Sequence, residues 1–399
     1  MKTKRIFLYI VNFILILLIG LACSGNTPVI EEKPTPDPEI PAPDPEPKYS
    51  DVPSHNPFVN GTEGYACYRI PTMVISKKGT ILAFAEGRRN NCEDVGDIDI
   101  VMKRSTDGGQ KWSELITVRD DGRNRCQNQC PVVLESGRIL LVTCWNKNPS
   151  EGRFVFVTYS DDDGLTWAEH KDITPTVKLT GWDWYATGPC HGIVKKLEPN
   201  KGRIIIPANH NNNMGEYAHI IYSDDNGATW KLGGIMPNNQ GNESTVVELS
   251  TGEIMLNSRN RAPKSDSHYR WVSISKDGGQ SFKDVYPDLG LRDPGNGCQG
   301  SIIMHSYNNE TKKYNILFSN PNSKDWRRNG TVRLSNDDAS TWLYGYNYAD
   351  PDPTKNFTSY SDLAVFENGT IAILYERGYQ NAEGIWFKKI QLSDINQPL

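Results

Sequence analysis

Apolar and polar side chains alternate over short runs such as FVFVTY, AHIIY and WVSI, the period expected of β-strands with one face buried. Such runs lead into five related segments: 105–112 (STDGGQKW), 160–167 (SDDDGLTW), 223–230 (SDDNGATW), 275–282 (SKDGGQSF) and 335–342 (SNDDASTW). The pattern suits a hairpin turn. An aspartate accepts turn amide hydrogens, a glycine takes positive φ, and an aromatic side chain packs beneath. The fifth segment carries Ala339 at the glycine position. A second hairpin type, a turn followed by a short apolar strand, interleaves with the first: KKGTILAFAE, ESGRILLVTC, NKGRIIIPAN, STGEIMLNSR, ETKKYNILFS and ENGTIAILYE. Alternating the two gives four strands per unit of about 50 to 65 residues, which predicts an all-β, six-bladed β-propeller. The sixth unit ends without a complete aspartate turn, so a strand from just after Asp51 is expected to close the ring.

The first 50 residues follow another pattern. Lys2, Lys4 and Arg5 precede an apolar run over 6–22 that is short for a membrane span and shaped like a secretory signal. Leu21, Ala22, Cys23 and Ser24 resemble a bacterial lipoprotein processing site, in which Cys23 becomes the acylated first residue. Gly20 departs from that pattern, and an ordinary cleaved signal is the alternative reading. Residues 23–50, rich in proline and acid, lack the apolar side chains of a core and predict an extended spacer. The expected organisation is a signal peptide over 1–22, a lipidated Cys23 with its linker over 23–50, and one propeller over 51–399. The expected location is a bacterial membrane-anchored lipoprotein, periplasmic or at the cell surface.

Charge and cysteine content narrow the chemistry. With 43 Lys and Arg against 48 Asp and Glu, the net charge is −5, and no basic block stands out, which argues against a nucleic-acid surface. Seven cysteines remain beyond Cys23, none in a C-x-x-C pair: Cys67, Cys92, Cys126, Cys130, Cys144, Cys190 and Cys298. No zinc site follows from them, and both one or two disulfides and small buried side chains stay open. Neither a metal-ligand cluster nor a dinucleotide or phosphate loop is present in the sequence, so no metal and no organic cofactor is expected.

The aspartate turns, the YRIP motif at 68–71 and several further residues resemble the bacterial and animal sialidases, retaining exo-glycosidases of six-bladed propeller fold. The resemblance covers residues 53–395. The turns alone say little about function, since propellers with other tasks use them. Sialic acid bears a carboxylate on its anomeric carbon, so its enzyme needs fixed cations of bidentate geometry, for which arginine is suited. By resemblance these are Arg69 in YRIP, Arg259 in MLNSRN and Arg327 in DWRRNGTVRLS, with the adjacent Arg328 as a rival for the third place. Taken singly, such arginines are more often surface residues; the set of three carries the reading.

The same carboxylate disfavours an anionic nucleophile. Tyr360, in FTSYSDLAVF, matches the family's tyrosine nucleophile, and Glu243, in GNESTVVEL, matches the glutamate that takes its proton. Asp94, in GRRNNCEDVGDIDIVMKRS, matches the acid/base residue, with Glu93, Asp97 and Asp99 as rivals. The pKa of Asp94 is expected to rise when substrate closes the pocket, giving fastest hydrolysis at mildly acidic pH. Arg88 in EGRRN matches an arginine on the sugar's hydroxyl side, and Glu376 in LYERG matches an acid that holds Arg69. Trp182, Trp184 and Tyr185, in GWDWYATGPC, read either as an aromatic wall for the glycan or as blade core; Cys190 replaces a family glycine nearby.

The implied activity is retaining hydrolysis of terminal α-linked sialic acids from sialoglycoconjugates by a monomer. Alternatives are a trans-sialidase, including the intramolecular kind, a non-catalytic sialoglycan-binding propeller, and a propeller that only binds partners. The binder needs the arginines but not Tyr360, Glu243 and Asp94 together.

Overall fold

The computed structural model describes residues 53, 55–147, 152–262 and 269–399. The expected signal segment, Cys23 and the linker over 23–50 lie outside the described residues. Strands dominate, and helix is confined among the described residues to Thr174–Val177 and a 3-10 turn at Leu392–Asp394.

The strands form antiparallel meanders in chain order. The first runs Cys67–Ile75, Ile81–Arg88, Ile98–Ser105 and Ile116–Arg119; the second runs Arg125–Val133, Ile139–Asn146, Phe154–Ser160 and Lys171–Asp172. A single parallel pair, Ile98 with Arg125, joins them into one eight-stranded sheet. Then follow Tyr185–Thr187, Ile204–Asn212, Gly215–Ser223 and Lys231–Ile235, with Ile193–Val194 beside the second strand. The next sheet is Gly241–Glu248, Ile254–Asn260, Tyr269–Ser275 and Tyr286–Arg292. After it come Ser301–Asn308, Lys313–Pro321, Gly330–Ser335 and Tyr344–Asn347, extended by Gln397–Pro398. The last sheet holds Phe357–Val365, Ile371–Gly378 and Gly384–Ile390, and Phe58–Val59 completes it, Phe58 lying opposite Ile385. A strand from the start of the domain thus closes an all-β propeller, as the strand count required.

Packing between the sheets explains why the inner strands read as nearly continuous buried runs. Ile81–Arg88 and Ile98–Ser105 are buried along their whole length, whereas Lys171–Asp172 is exposed. A strand sandwiched between neighbouring sheets buries both faces, so alternation survives best toward the outside. The aromatics of the aspartate turns enter these interfaces: Trp112 packs edge-on against Phe387, and Trp342 lies against Phe318.

The turns have the expected chemistry. In the first, the Ser105 hydroxyl donates to Asp107 at 2.9 Å and accepts the Gly109 amide at 2.7 Å, while the amides of Gln110 and Lys111 donate to Asp107. In the second, Gly164 has φ +83°, and a Cβ there would stand 2.3 Å from Leu82 Cδ2. Ala339 adopts φ 58° in the fifth turn and shares a core cluster with Met255. Met255 follows Gly252 and Ile254 as Leu82 follows Gly79 and Ile81, so an unbranched thioether stands where Leu82 would leave no room for the methyl.

Candidate active site

Four sheets send side chains to one place. Tyr360 lies on Phe357–Val365, Glu243 on Gly241–Glu248, Arg259 on Ile254–Asn260 and Arg69 on Cys67–Ile75; Arg327 precedes Gly330–Ser335. The Tyr360 hydroxyl donates to Glu243 Oε1, and Arg259 Nη1 donates to Glu243 Oε2 at 2.7 Å and to the Tyr360 oxygen at 3.1 Å. The guanidinium carbons of Arg69 and Arg327 stand 5.8 and 5.3 Å from the centre of the Tyr360 ring. Arg328 makes an isolated bridge with Phe357, so of the adjacent pair it is Arg327 that faces the phenol.

Each cation is braced. Glu376, fully buried on the strand beside Tyr360, accepts Arg69 Nε at 2.6 Å and the Ile70 amide at 2.9 Å. Arg259 donates to the Asn296 carbonyl, and Arg327 donates to the Gly297 carbonyl and the Ser359 hydroxyl, each of these two at 3.2 Å. Gly297 has φ +76°, and a Cβ on it would meet Arg259 Cγ at 2.7 Å, so the close approach requires glycine. Asn296, Gly297 and Ser359 carried no sequence signal beyond the turn-like run DPGNG; only the site's geometry reveals them.

The acid side is built on the loop after Ile81–Arg88. A disulfide between Cys67 and Cys92 ties this loop to the strand of Arg69, and Cys126, Cys130, Cys144, Cys190 and Cys298 are free and buried. Asp94, its side chain 78% exposed, pairs with Arg88 Nη2 at 2.9 Å. Arg88 is itself covered, donating also to Glu86 at 2.6 Å and to the Cys92 carbonyl at 2.6 Å, so it braces Asp94 rather than standing open on the cavity wall. Asp97 and Asp99 turn to Arg89 instead, and Asp99 accepts the Tyr65 hydroxyl. Trp182 and Tyr185 belong to a hydrophobic core cluster, Trp182 stacked on His210; Trp184 is partly exposed over Arg153. None of these three aromatics lines the cavity that opens before Arg69 and Arg327.

Burial sets the charge states. Burial pushes the Tyr360 phenol well above its ordinary pKa, Glu243 adds to this, and Arg259 and Arg327 oppose it. Desolvation would also raise Asp94, but Arg88, Arg69 and Arg327 outweigh it and hold the carboxyl below its usual value. Glu376 is lowered likewise, Arg69 overcoming the burial. The arrangement can therefore hold an anion, keep a phenol neutral, and remove its proton when it attacks.

Residues 79–373 match the BNR repeat-like domain family. A sialidase of Micromonospora viridifaciens is 32% identical over 360 residues, which span 82% of this chain and 53% of that protein. A sialidase of Clostridium perfringens is 32% identical over 77% of this chain and 86% of its own length. The chain belongs to the sialidase family. Among solved structures, the Hadza microbial sialidase Hz136 superposes with a TM-score of 0.75 at 27% identity, covering 85% of this chain and 68% of that one. Sialidases are glycosidases, and the chain spans about half the length of the Micromonospora relative.

Proposed function

We propose that this sialidase is an exo-α-sialidase that releases terminal α-linked sialic acids from glycoproteins, glycolipids or oligosaccharides with retained configuration. The observation that carries the reading is the Tyr360 hydroxyl donated to Glu243 inside the group of Arg69, Arg259 and Arg327. The arginines dock the substrate carboxylate. Tyr360 oxygen then bonds to the anomeric carbon as the glycosidic bond breaks; its proton passes to Glu243, and Asp94 gives its proton to the leaving oxygen. In the second step Asp94 takes a proton from water, whose oxygen displaces Tyr360, and Glu243 returns the phenolic proton. Two inversions give net retention.

Docking also resolves the low pKa of Asp94. A bound carboxylate neutralises part of the field of Arg69 and Arg327 and excludes water, so the proton needed for the first step is acquired in the complex.

The eight-stranded sheet, read as two meanders joined at one residue pair, supports six blades. The charged, apolar and small-residue order ahead of Cys23 supports a secreted bacterial lipoprotein held at a membrane, on the linker over 23–50. Hydrolysis of a fluorogenic α-sialoside, beside Tyr360→Phe and Asp94→Asn variants, tests the activity: release by the parent with a large loss in Tyr360→Phe is expected, and binding without turnover by the parent would refute it.

A further inference from the structure

The cavity in front of the arginines is larger than its terminal sugar needs. Its volume is about 1460 Å³, whereas a single sugar-sized ligand corresponds to the lower end, roughly 300 Å³, of the range for small-molecule sites. The remaining wall is formed in part by the segment that carries Arg327: Lys324, Asp325, Trp326 and Arg328 all line it. Trp326 is 73% exposed there, and Tyr379, 52% exposed, stands on the same cavity. A large indole left open to water beside a row of cations offers an apolar face to a sugar ring, which has alternating polar edges and C–H faces.

The cations of this wall divide into two kinds. Arg69 and Arg327 are committed to Glu376 and to the groups around Tyr360. Lys324 and Arg328 are exposed and, among the described residues, neither makes an ion pair or a side-chain hydrogen bond. On this one segment the two cations outnumber Asp325, while Glu93, from the loop of Asp94, faces the same cavity. Unpaired cations at a cavity wall raise the local concentration of anions and reward a ligand that brings one.

We propose that Lys324 and Arg328, with Trp326, form an outer subsite for an aglycone that bears its own anionic group, a carboxylate or a sulfate, on the unit next to the scissile bond. This rests on the sialidase reading above and specifies its substrate class. The terminal sugar's carboxylate occupies the inner arginines, the aglycone ring lies against Trp326, and its anion meets Lys324 and Arg328. No covalent step is added.

The test compares kcat/KM on three oligosaccharides: one with a neutral galactose aglycone, one whose aglycone is a second, α2-8-linked sialic acid, and one whose galactose carries a sulfate. The parent is expected to favour at least one acidic substrate over the neutral one by about fivefold or more at low salt, the two acidic arms separating carboxylate from sulfate. In Lys324→Ala/Arg328→Ala that ratio falls to near one, and in the parent it falls as ionic strength rises. A parent without such preference, or a ratio unmoved by the double substitution, overturns the subsite. Hydrolysis of a fluorogenic α-sialoside separates the two claims, since turnover there with no acidic preference removes only the subsite, and no turnover removes the sialidase reading with it. A charge-reversing Lys324→Glu variant gives a second check: it removes as much positive charge as the double alanine variant, so the ratio must fall to a similar extent.

Discussion

Replacing Glu243 by glutamine should convert a proton-relay enzyme into one that waits for its tyrosine to ionise. In the parent, Glu243 holds the Tyr360 hydroxyl and pairs with Arg259. Glutamine keeps the shape and loses the basicity. The variant also loses the negative charge that helped to raise the Tyr360 pKa, while Arg259 stays 3.1 Å from the phenol oxygen and favours the phenolate. Burial, the largest cause of the raised pKa, still opposes ionisation, so the phenol stays overwhelmingly neutral at pH 7. At pH 7 the rate should fall by about 10² to 10⁴, the range for lost general base catalysis. The loss should shrink about tenfold for each pH unit gained. A substrate with a 4-methylumbelliferone leaving group suits the assay because its departure needs little help from Asp94 at high pH. Thermal melting must show that the variant is folded, since Arg259 loses its buried partner. A variant slowed by the same factor at every pH from 6 to 9, or slowed less than tenfold at pH 7, would refute the relay.

Three further outcomes follow from other parts of the molecule. Glu376→Gln leaves Arg69 without its counter-charge, so KM for α-sialosides should rise about tenfold or more with a smaller change in kcat, measured by steady-state kinetics. Gly164→Ala forces a methyl against Leu82 at φ +83° and should lower stability by about 2 to 3 kcal/mol in denaturant titration, whereas Ala339 is already tolerated beside Met255. His191 sits against buried Asp362 at 2.8 Å; burial opposes its charge, Asp362 prevails, and its pKa is raised to about 9. Because the folded value lies above the unfolded one, this stabilisation, roughly 3 kcal/mol at most, is complete below pH 6.5 and is lost as pH rises through 9. His191→Gln should flatten the stability profile across that window.

What the sequence disclosed was the part of the structure governed by local rules. The aspartate turns declare themselves because an acid, a serine and a positive-φ residue must occur at fixed spacing, and the alternating strands before them give the period. Closure by Phe58–Val59 followed from counting strands, although the partner strand lies more than 300 residues away in the chain. The convergence of Arg69, Arg259, Tyr360 and Glu243 was legible through motif resemblance, not through periodicity, since each is on a different sheet or strand. Properties set by that convergence were hidden. The pairing of Cys67 with Cys92 had no signature among seven cysteines. The lowered pKa of Asp94 depends on Arg88, Arg69 and Arg327 arriving from separate segments. Arg88 reads from sequence as a sugar contact, yet Glu86 and Cys92 cover it. Trp182 and Tyr185 read from sequence equally as a glycan wall or as blade core, and His210 and His219 packed against them decide for the core.

The central claim is that Tyr360 forms the covalent intermediate. A sialosyl fluoride carrying a second fluorine at the neighbouring carbon keeps a good leaving group while destabilising the cationic transition states, so the intermediate should accumulate. Intact-protein mass measurement should show one added fluorosialosyl group, peptide mapping should place it on Tyr360, and Tyr360→Phe should acquire none. An adduct on Glu243 or Asp94, or turnover with no adduct and inverted product formed first, would contradict the account.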